Sequence, residues 1–402
     1  MIIEPTFGPA ATQPLATAAA TTTTRRELDI RFTGSGSEYF RIWIVNLLLT
    51  LVTLSLYYPW AKVRRLRYFY GNTMVDGHPL GFHANPMKML RGYLLVALML
   101  VLYSVAGKFS PLAGLVAFVI VAAIWPALLK SSMQFRLANT SWRGLRFRFR
   151  GSLGGAYAAM LPLFVPALVI VAAVAAIPDQ TQPPPWYLPV FFGTMLLTLA
   201  LMPWLWWNLK KYQHDHYAYG PEQTSLNTGV GSFYGVFAKT SLVSLLGFVV
   251  FFVIVFAIAM AFGVAAFMGS GGNRPPPLFL MIISLVFFFV GMLAVQMLPR
   301  PYFTSRMQNL LWSRTASTNV GFTSTLRFPP LFGLTLKNWL LMVVTLGLYW
   351  PFAAVAVTRM RLESVKVVSD VDPQTLVDQV RGTEGEAAGD AAGDLFGLDI
   401  GL

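Results

Sequence analysis

The sequence contains no cysteine and few charged residues. The absence of cysteine from all 402 residues excludes disulfide bonds and thiolate metal sites. Only 12% of the residues are charged, whereas a soluble domain carries about 25%. The mean hydropathy is +0.59 and 55% of the residues are hydrophobic. These values argue against an ordinary soluble domain.

Eight apolar segments account for the high hydropathy. They cover residues 42–59, 92–107, 112–129, 155–177, 187–207, 236–262, 278–298 and 336–356. None contains Asp, Glu or His, and about 20 apolar residues are enough to cross the ~30 Å hydrocarbon layer of a bilayer. The segments predict an all-α polytopic membrane protein with 6–8 transmembrane segments.

The charges are unevenly distributed along the chain. Nine of the 17 acidic residues lie from Glu363 onward, so residues 1–362 have 28 basic and eight acidic residues, a net charge of +20. Basic residues concentrate in the long linkers after segments 1, 3, 5 and 7. The positive-inside rule therefore places those linkers in the cytoplasm. We predict a disordered tail over 1–27, a membrane domain over 28–365 and an acidic disordered tail over 366–402.

The chain contains an internal repeat. Residues 46–63 and 338–355 are identical at 11 of 18 positions, including the pairs Asn46/Asn338 and Pro59/Pro351. Apolar composition alone would not align asparagine and proline, so we interpret residues 40–73 and 331–365 as two copies of one unit.

A weaker unit recurs in the basic linkers. Pro59 precedes Asn72 by 13 residues, and Pro126 precedes Asn139 by the same distance. The pattern R-x-x-N-x-x-W that contains Asn139 returns around Asn309. A basic and aromatic stretch between proline and asparagine predicts a short helix in the membrane interface.

Alternating pieces in the linkers predict small strands. Residues 145–151 alternate strictly between apolar and basic side chains, and shorter pieces of this kind occur at 30–34 and 326–328. We expect them to form a small cytoplasmic β layer from different linkers.

Two topologies fit the linkers. Eight full spans would place both termini in the periplasm, although segments 1 and 8 have cytoplasmic-type sequence on their flanks. Alternatively, segments 1 and 8 are re-entrant hairpins and six spans remain, in three hairpins. The sequence leaves both topologies open.

Residues 32–46, 53–68 and Asn72-Thr73 resemble the DUF898 family, which includes the YjgN-like inner membrane proteins of bacteria. The resemblance covers about residues 28–365. It implies a multi-pass location in the bacterial inner membrane and no established activity. The second copy of the repeat has Ala354 and Ala356 in place of Lys62 and Arg64.

No motif for catalysis or for a cofactor is present, so we expect neither an enzyme nor a cofactor. His214 and His216 could bind zinc together with His78, His83 or Glu222 if they lay on a strand. We favour an exposed loop with solvated histidines and predict no metal site.

Two functions remain open. One is a transporter or channel for a small molecule, lipid or ion, and internal repeats are common in such proteins. The alternative is a membrane scaffold or sensor that binds anionic lipid or a cytoplasmic partner, with Lys62, Arg64, Arg65 and Arg67 contacting the lipid. We expect the bilayer as partner and no nucleic acid; the sequence indicates no protein partner or oligomeric state.

Overall fold

The computed structural model describes residues 25–179, 181–270, 297–375, 377 and 378, together with isolated positions between 278 and 295. Most of segment 278–298 and the greater part of both predicted tails lie outside this range.

Eleven short antiparallel strands form one sheet in the order β7-β6-β5-β4-β3-β2-β1-β11-β10-β9-β8. The strands are β1 Arg26–Phe32, β2 Thr73–Val75, β3 His78–Phe82, β4 Thr140–Trp142, β5 Leu145–Phe149, β6 Tyr217–Tyr219, β7 Glu222–Gln223, β8 Ser225–Leu226, β9 Thr315–Ala316, β10 Val320–Ser324 and β11 Val365–Ser369. Only Thr224 separates the two end strands along the chain, so the sheet is a nearly closed barrel. The chain is mostly helical, as predicted, but its strands form one large sheet and not small separate pieces, so the all-α class holds only in part. The expected union of strands from different linkers is confirmed.

The predicted strands differ in outcome. The pieces at 145–151 and 30–34 contribute β5 and the end of β1. The piece at 326–328 is not a strand, because β10 ends at Ser324 and a helix begins at Phe328. Two prolines follow Phe328, and proline in the first helical turn favours a helix start.

Helices account for most of the described chain. They are α1 Gly36–Val52, α2 Tyr58–Gly71, α3 Pro86–Phe109, α4 Pro111–Ala138, α5 Leu153–Ala175, α6 Tyr187–His214, α7 Val230–Ser270, α8 Pro299–Ser313, α9 Phe328–Val344 and α10 Trp350–Glu363. Within the described residues, five helices are long and apolar enough to cross a membrane, namely α3 to α6 and the first part of α7. The chain is thus a multi-pass membrane protein. The predicted segment 278–298 lies almost entirely outside the described residues.

A β-α-α-β unit recurs five times around the barrel. Each unit leaves the sheet on one strand and returns on a neighbouring antiparallel strand, in the pairs β1/β2, β3/β4, β5/β6, β8/β9 and β10/β11. The residue after each outgoing strand donates its backbone N–H to a carbonyl at the end of the returning helix. These pairs are Thr33–Asn72, His83–Asn139, Arg150–His216, Asn227–Arg314 and Thr325–Ser364, at 2.7–3.0 Å. The five units therefore share one backbone register.

A proline marks the returning helix of every unit. The prolines are Pro59, Pro126, Pro203, Pro301 and Pro351; each is buried and precedes its unit's carbonyl acceptor by 13 residues. Pro126 does not begin a separate interfacial helix, as predicted, because α4 continues through it. Neighbouring helices can compensate for the missing N–H of a proline inside a membrane helix.

Asn72 and Asn139 end their helices in the same way. Each side-chain amide donates to the carbonyl four residues back, at 2.8 Å. Asn309 was predicted to be their counterpart and is not, because it lies inside α8 and bonds to the backbone of Leu326. The equivalent position is Arg314, the C-cap of α8. The R-x-x-N-x-x-W pattern was therefore coincidental.

The two copies of the predicted repeat have the same backbone. The chain reverses between α1 and α2 with positive φ at Leu54 and Ser55, and between α9 and α10 with positive φ at Leu346 and Gly347. The strands before and after each hairpin, β1/β2 and β10/β11, are paired. Each hairpin thus returns to the side from which it left, which favours the re-entrant topology over an ordinary span.

The helices form a ring above the barrel. Neighbouring helices contact one another in chain order from α1 to α10, and α10 contacts α1. The barrel strands also correct the predicted domain limits. Arg26 and Glu27 belong to β1, and residues 366–369 belong to β11, because β11 pairs with both β1 and β10.

Candidate functional site: a basic chamber

A cavity of about 940 Å³ lies where the ring of helices meets the barrel. Its walls come from α2, α4, α8, α9 and α10, and Thr73 and Leu80 contribute from the barrel. In four of the five β-α-α-β units the second helix, which returns to the barrel, lines this cavity. These helices are α2, α4, α8 and α10, so the repeated fold brings equivalent helices around one cavity. We call this cavity the chamber.

Four arginines from four different helices line the chamber. They are Arg65 of α2, Arg136 of α4, Arg300 of α8 and Arg361 of α10. No Asp or Glu is among the lining residues that the structure describes, and no salt bridge joins any of the four to a described carboxylate. The chamber therefore concentrates positive charge without a counter-charge from the described chain.

The arginines are distributed along the height of the chamber. Arg136 and Arg361 each lie three residues before their helix C-cap, so both stand about 5 Å from the sheet along the helix. Arg65 is seven residues before its C-cap, about 10 Å from the sheet. The guanidinium of Arg65 lies 5.7 Å from the ring centre of Trp350, and Nε of Arg361 donates to Oε1 of Gln308 at 2.8 Å.

The positive groups around the chamber repel one another. Burial, the charge of Arg136 and the charge of Arg65 together lower the pKa of Lys62, which lies one helical turn before Arg65 on α2. Burial lowers the pKa of Arg361. An anion placed between these side chains would relieve the repulsion.

Most of the remaining chamber wall is apolar or aromatic, with Thr304, Thr335, Asn338 and Thr358 as polar exceptions. It includes Trp339 and Met342 of α9 and Trp350 of α10, all on the side away from the barrel. Arg300 lies fourteen residues before the C-cap of α8, about 21 Å from the sheet, so it stands at the height of these aromatic residues. Positive charge and apolar surface therefore both extend along the height of the chamber.

The interior of the barrel closes the floor of the chamber. Buried Leu28, Val75 and Trp142 pack together from three strands, and side chains from further strands pack on them, among them Leu80. Because Leu80 also lines the chamber, this apolar core lies directly beneath it.

One amide in the chamber wall has no partner. Asn338 is 3% exposed, and neither its Nδ2 nor its Oδ1 makes a hydrogen bond with any described residue. Its counterpart in the first repeat copy, Asn46, is 7% exposed with an unpartnered Oδ1, but it does not line the chamber.

The predicted lipid-contact residues divide into two pairs. Arg65 lines the chamber and Lys62 lies beside it, whereas Arg64 and Arg67 do not line it, although all three arginines are exposed. Arg67 instead donates to the backbone carbonyl of Ala84. Residues three positions apart lie on the same face of a helix, so Lys62 and Arg65 share one face of α2 and Arg64 and Arg67 share another.

Sequence analysis missed the other three arginines because they come from distant linkers. A signal existed for two of them: Arg136 and Arg361 both stand ten residues after the repeated proline of their unit. Aligning all units on that proline would have placed them at one position.

The predicted exposed loop around His214 is wrong. His214 is the last residue of α6 and is buried, with Nδ1 2.9 Å from Oγ1 of Thr315. Nδ1 of His216 bonds to the carbonyl of Tyr212. In the described part of the chain, no three His, Asp or Glu side chains lie close enough together to hold a metal ion.

Comparison with known proteins places the chain among bacterial membrane proteins. Over 142 residues it is 35% identical to inner membrane protein YjgN of Salmonella typhimurium and 29% identical to inner membrane protein YjgN of Escherichia coli K12. Each match covers 35% of this chain and 35% of the relative. No solved structure matches. The family described as "Bacterial protein of unknown function (DUF898)" matches residues 27–395. The chain is therefore a multi-pass inner membrane protein that belongs to the DUF898 family.

Proposed function

We propose that the protein binds an anionic phospholipid of the inner membrane in the chamber and acts without catalysis, as a scaffold or sensor of membrane composition. One observation carries the proposal: four arginines from four helices converge on a cavity that no described carboxylate lines. Guanidinium groups pair well with phosphate because their N–H donors match its oxygens.

The apolar part of the chamber supports a lipid over a soluble anion. Trp339, Met342 and Trp350 provide apolar surface for the acyl part of an amphiphile. Arginines at different heights, from Arg361 near the sheet to Arg300 near the hairpin turns, offer partners to its phosphate.

No observation on the described residues favours the transporter or channel considered first. A conduit needs a polar route, and the barrel strands next to the chamber contribute the buried apolar cluster of Leu28, Val75 and Trp142 instead. Binding and retention of a lipid need no such route.

The test is a lipid titration followed by native mass spectrometry. Delipidated protein is titrated with phosphatidylglycerol, and the double variant Arg65→Gln/Arg136→Gln is compared with the unsubstituted chain. Each basic residue near an anionic lipid is worth about 1 kcal/mol, so removing two should weaken binding roughly 30-fold.

A matched control separates the chamber from surface charge in general. Arg64→Gln/Arg146→Gln removes the same charge from two exposed positions that do not line the chamber. It should bind phosphatidylglycerol as the unsubstituted chain does, and excess inorganic phosphate should not displace the lipid. Equal losses in both double variants, or displacement by phosphate, would refute the proposal.

A further inference from the structure

Arg361 differs from the other chamber arginines because a buried amide holds it. Its Nε donates to Oε1 of Gln308 at 2.8 Å. Nε2 of Gln308 donates to the backbone carbonyl of Arg361 at 2.9 Å and to Oγ of Ser364 at 3.0 Å. None of the other three chamber arginines donates from its guanidinium to a described residue. One amide therefore contacts both the side chain and the backbone of Arg361.

The amide of Gln308 fits Arg361 in one orientation. A guanidinium only donates hydrogen bonds, so Oε1 must face it and Nε2 must face acceptors. The carbonyl of Arg361 and the hydroxyl of Ser364 are those acceptors. Gln308 is 6% exposed and does not line the chamber. Its amide is thus committed to Arg361 and is not itself a contact for a ligand in the chamber.

The bond to Gln308 leaves one edge of the guanidinium for a ligand. A guanidinium has five N–H donors, and Gln308 accepts from the one on Nε. The four on Nη1 and Nη2 donate to no described residue. One N–H from each Nη forms a parallel pair, and such pairs bind two oxygens of a phosphate. Because Arg361 lines the chamber, this pair is available to an anion there.

The repeated fold does not itself require an amide at position 308. Gln308 is seven residues after Pro301, the proline of its unit. In units 1 and 2 the equivalent positions are Leu66 and Met133. Apolar side chains therefore serve the same backbone, and a buried glutamine is unfavourable unless its hydrogen bonds are made. The contact with Arg361 accounts for the glutamine.

We propose that Gln308 is a positioning residue for lipid binding, which holds the guanidinium of Arg361 so that its Nη edge meets the phosphate. This inference rests on the proposed function. It adds that the orientation of one arginine determines the affinity, together with the number of positive charges. A guanidinium that is ordered before binding loses less conformational entropy when the phosphate arrives.

The test is a double-mutant cycle on phosphatidylglycerol binding to the delipidated full chain. Arg361→Gln removes one charge and should weaken binding about fivefold. Gln308→Met keeps a similar shape and leaves the charge in place. It should weaken binding about threefold, the cost of ordering one side chain on binding. Because Gln308 acts through Arg361, the variant with both substitutions should bind like Arg361→Gln alone.

Two further variants exclude a general effect on the fold. In Gln308→Met/Arg65→Gln the two losses should multiply to about 15-fold, since no hydrogen bond joins Gln308 to Arg65 in the described chain. Arg361→Lys keeps the positive charge and the native Gln308, but lysine has no Nε–H and no parallel pair of donors. It should bind phosphatidylglycerol about threefold more weakly than the unsubstituted chain does.

The outcomes separate this inference from the proposed function. The role of Gln308 is refuted if Gln308→Met weakens binding equally with and without Arg361→Gln, or if Arg361→Lys binds like the unsubstituted chain. Lipid binding then stands, provided that Arg65→Gln/Arg136→Gln still loses the lipid. If no phosphatidylglycerol binds the unsubstituted chain, both proposals fall.

Discussion

At the scale of single residues, the turns at the hairpin tips show how two related sequences satisfy one backbone. Position 55 has φ +72 and is serine, whereas the equivalent position 347 has φ +88 and is glycine. In both copies a threonine hydroxyl accepts from a backbone N–H four residues ahead, at 3.0 Å. The threonine hydrogen bond stabilises the turn, and the residues with positive φ reverse the chain direction.

Substitutions at these positions should have unequal effects. Gly347→Ala places a Cβ in the left-handed region and should destabilise the fold by about 1–2 kcal/mol. Ser55→Gly relieves that strain but adds chain entropy to the unfolded state, so its effect should be within about 1 kcal/mol of zero. Thermal unfolding of the two variants in one detergent measures both, and equal destabilisation would contradict the shared turn geometry.

Some residue roles could be predicted from the sequence and others could not, and the difference has a physical cause. Asn72 and Asn139 could be found because a helix C-cap depends on local spacing. Arg136 and Arg361 could not be assigned to one site, because only the closed order of strands brings their helices together. Local patterns encode caps and turns, whereas the chamber depends on contacts between distant segments.

At the scale of elements, the α1–α2 and α9–α10 hairpins end in strongly exposed apolar tips. Leu54 and Leu346 are 89% and 93% exposed, which is unfavourable in water and suits the hydrocarbon layer. Both hairpins start and end at paired strands of the barrel. We therefore expect both tips to lie within the membrane without crossing it.

Single-cysteine labelling tests this topology, and the native chain has no thiol to remove. Leu54→Cys and Leu346→Cys should resist a water-soluble maleimide in intact membranes and react after detergent is added. Gly77→Cys, in the turn between β2 and β3, should react only from the cytoplasmic side, and Thr181→Cys only from the periplasmic side. Labelling of Leu54→Cys from the periplasm would instead indicate an ordinary span.

Cross-linking tests the pairing of β1 with β11, the first and last strands along the chain. Asp29 and Lys366 are exposed and lie directly opposite each other on β1 and β11. The pair Asp29→Cys/Lys366→Cys should form a disulfide under mild oxidation, since paired strands lie within reach of one.

The pair Asp29→Cys/Thr323→Cys is the negative control for the pairing of β1 with β11. Thr323 pairs with Lys366 from the far side of β11, so it is two strand spacings, or about 10 Å, from Asp29. That pair should stay reduced. Equal cross-linking of both pairs would contradict the strand order.

At the scale of the whole molecule, five units around one barrel explain features that looked separate in the sequence. The repeated proline, the strand pieces and the basic linkers all belong to a β-α-α-β unit whose closing hydrogen bond recurs at 2.7–3.0 Å. Sequence comparison revealed the first and last copies, because they keep 11 of 18 residues identical. The middle units share the proline spacing and the backbone register with the other two, and a comparison of side-chain identities does not detect a shared backbone register.

The ring of units also explains why the arginines face one space. Four of the five returning helices, α2, α4, α8 and α10, line the chamber, so basic residues on separate helices add to one positive field. An apolar cluster of the barrel strands lies next to that field.

The most direct test of lipid binding in the chamber is a structure determined in nanodiscs that contain phosphatidylglycerol. Our account predicts phospholipid density in the chamber, with the phosphate beside Arg65 and Arg136. A chamber that contains only water, or one that side chains have closed, would contradict it.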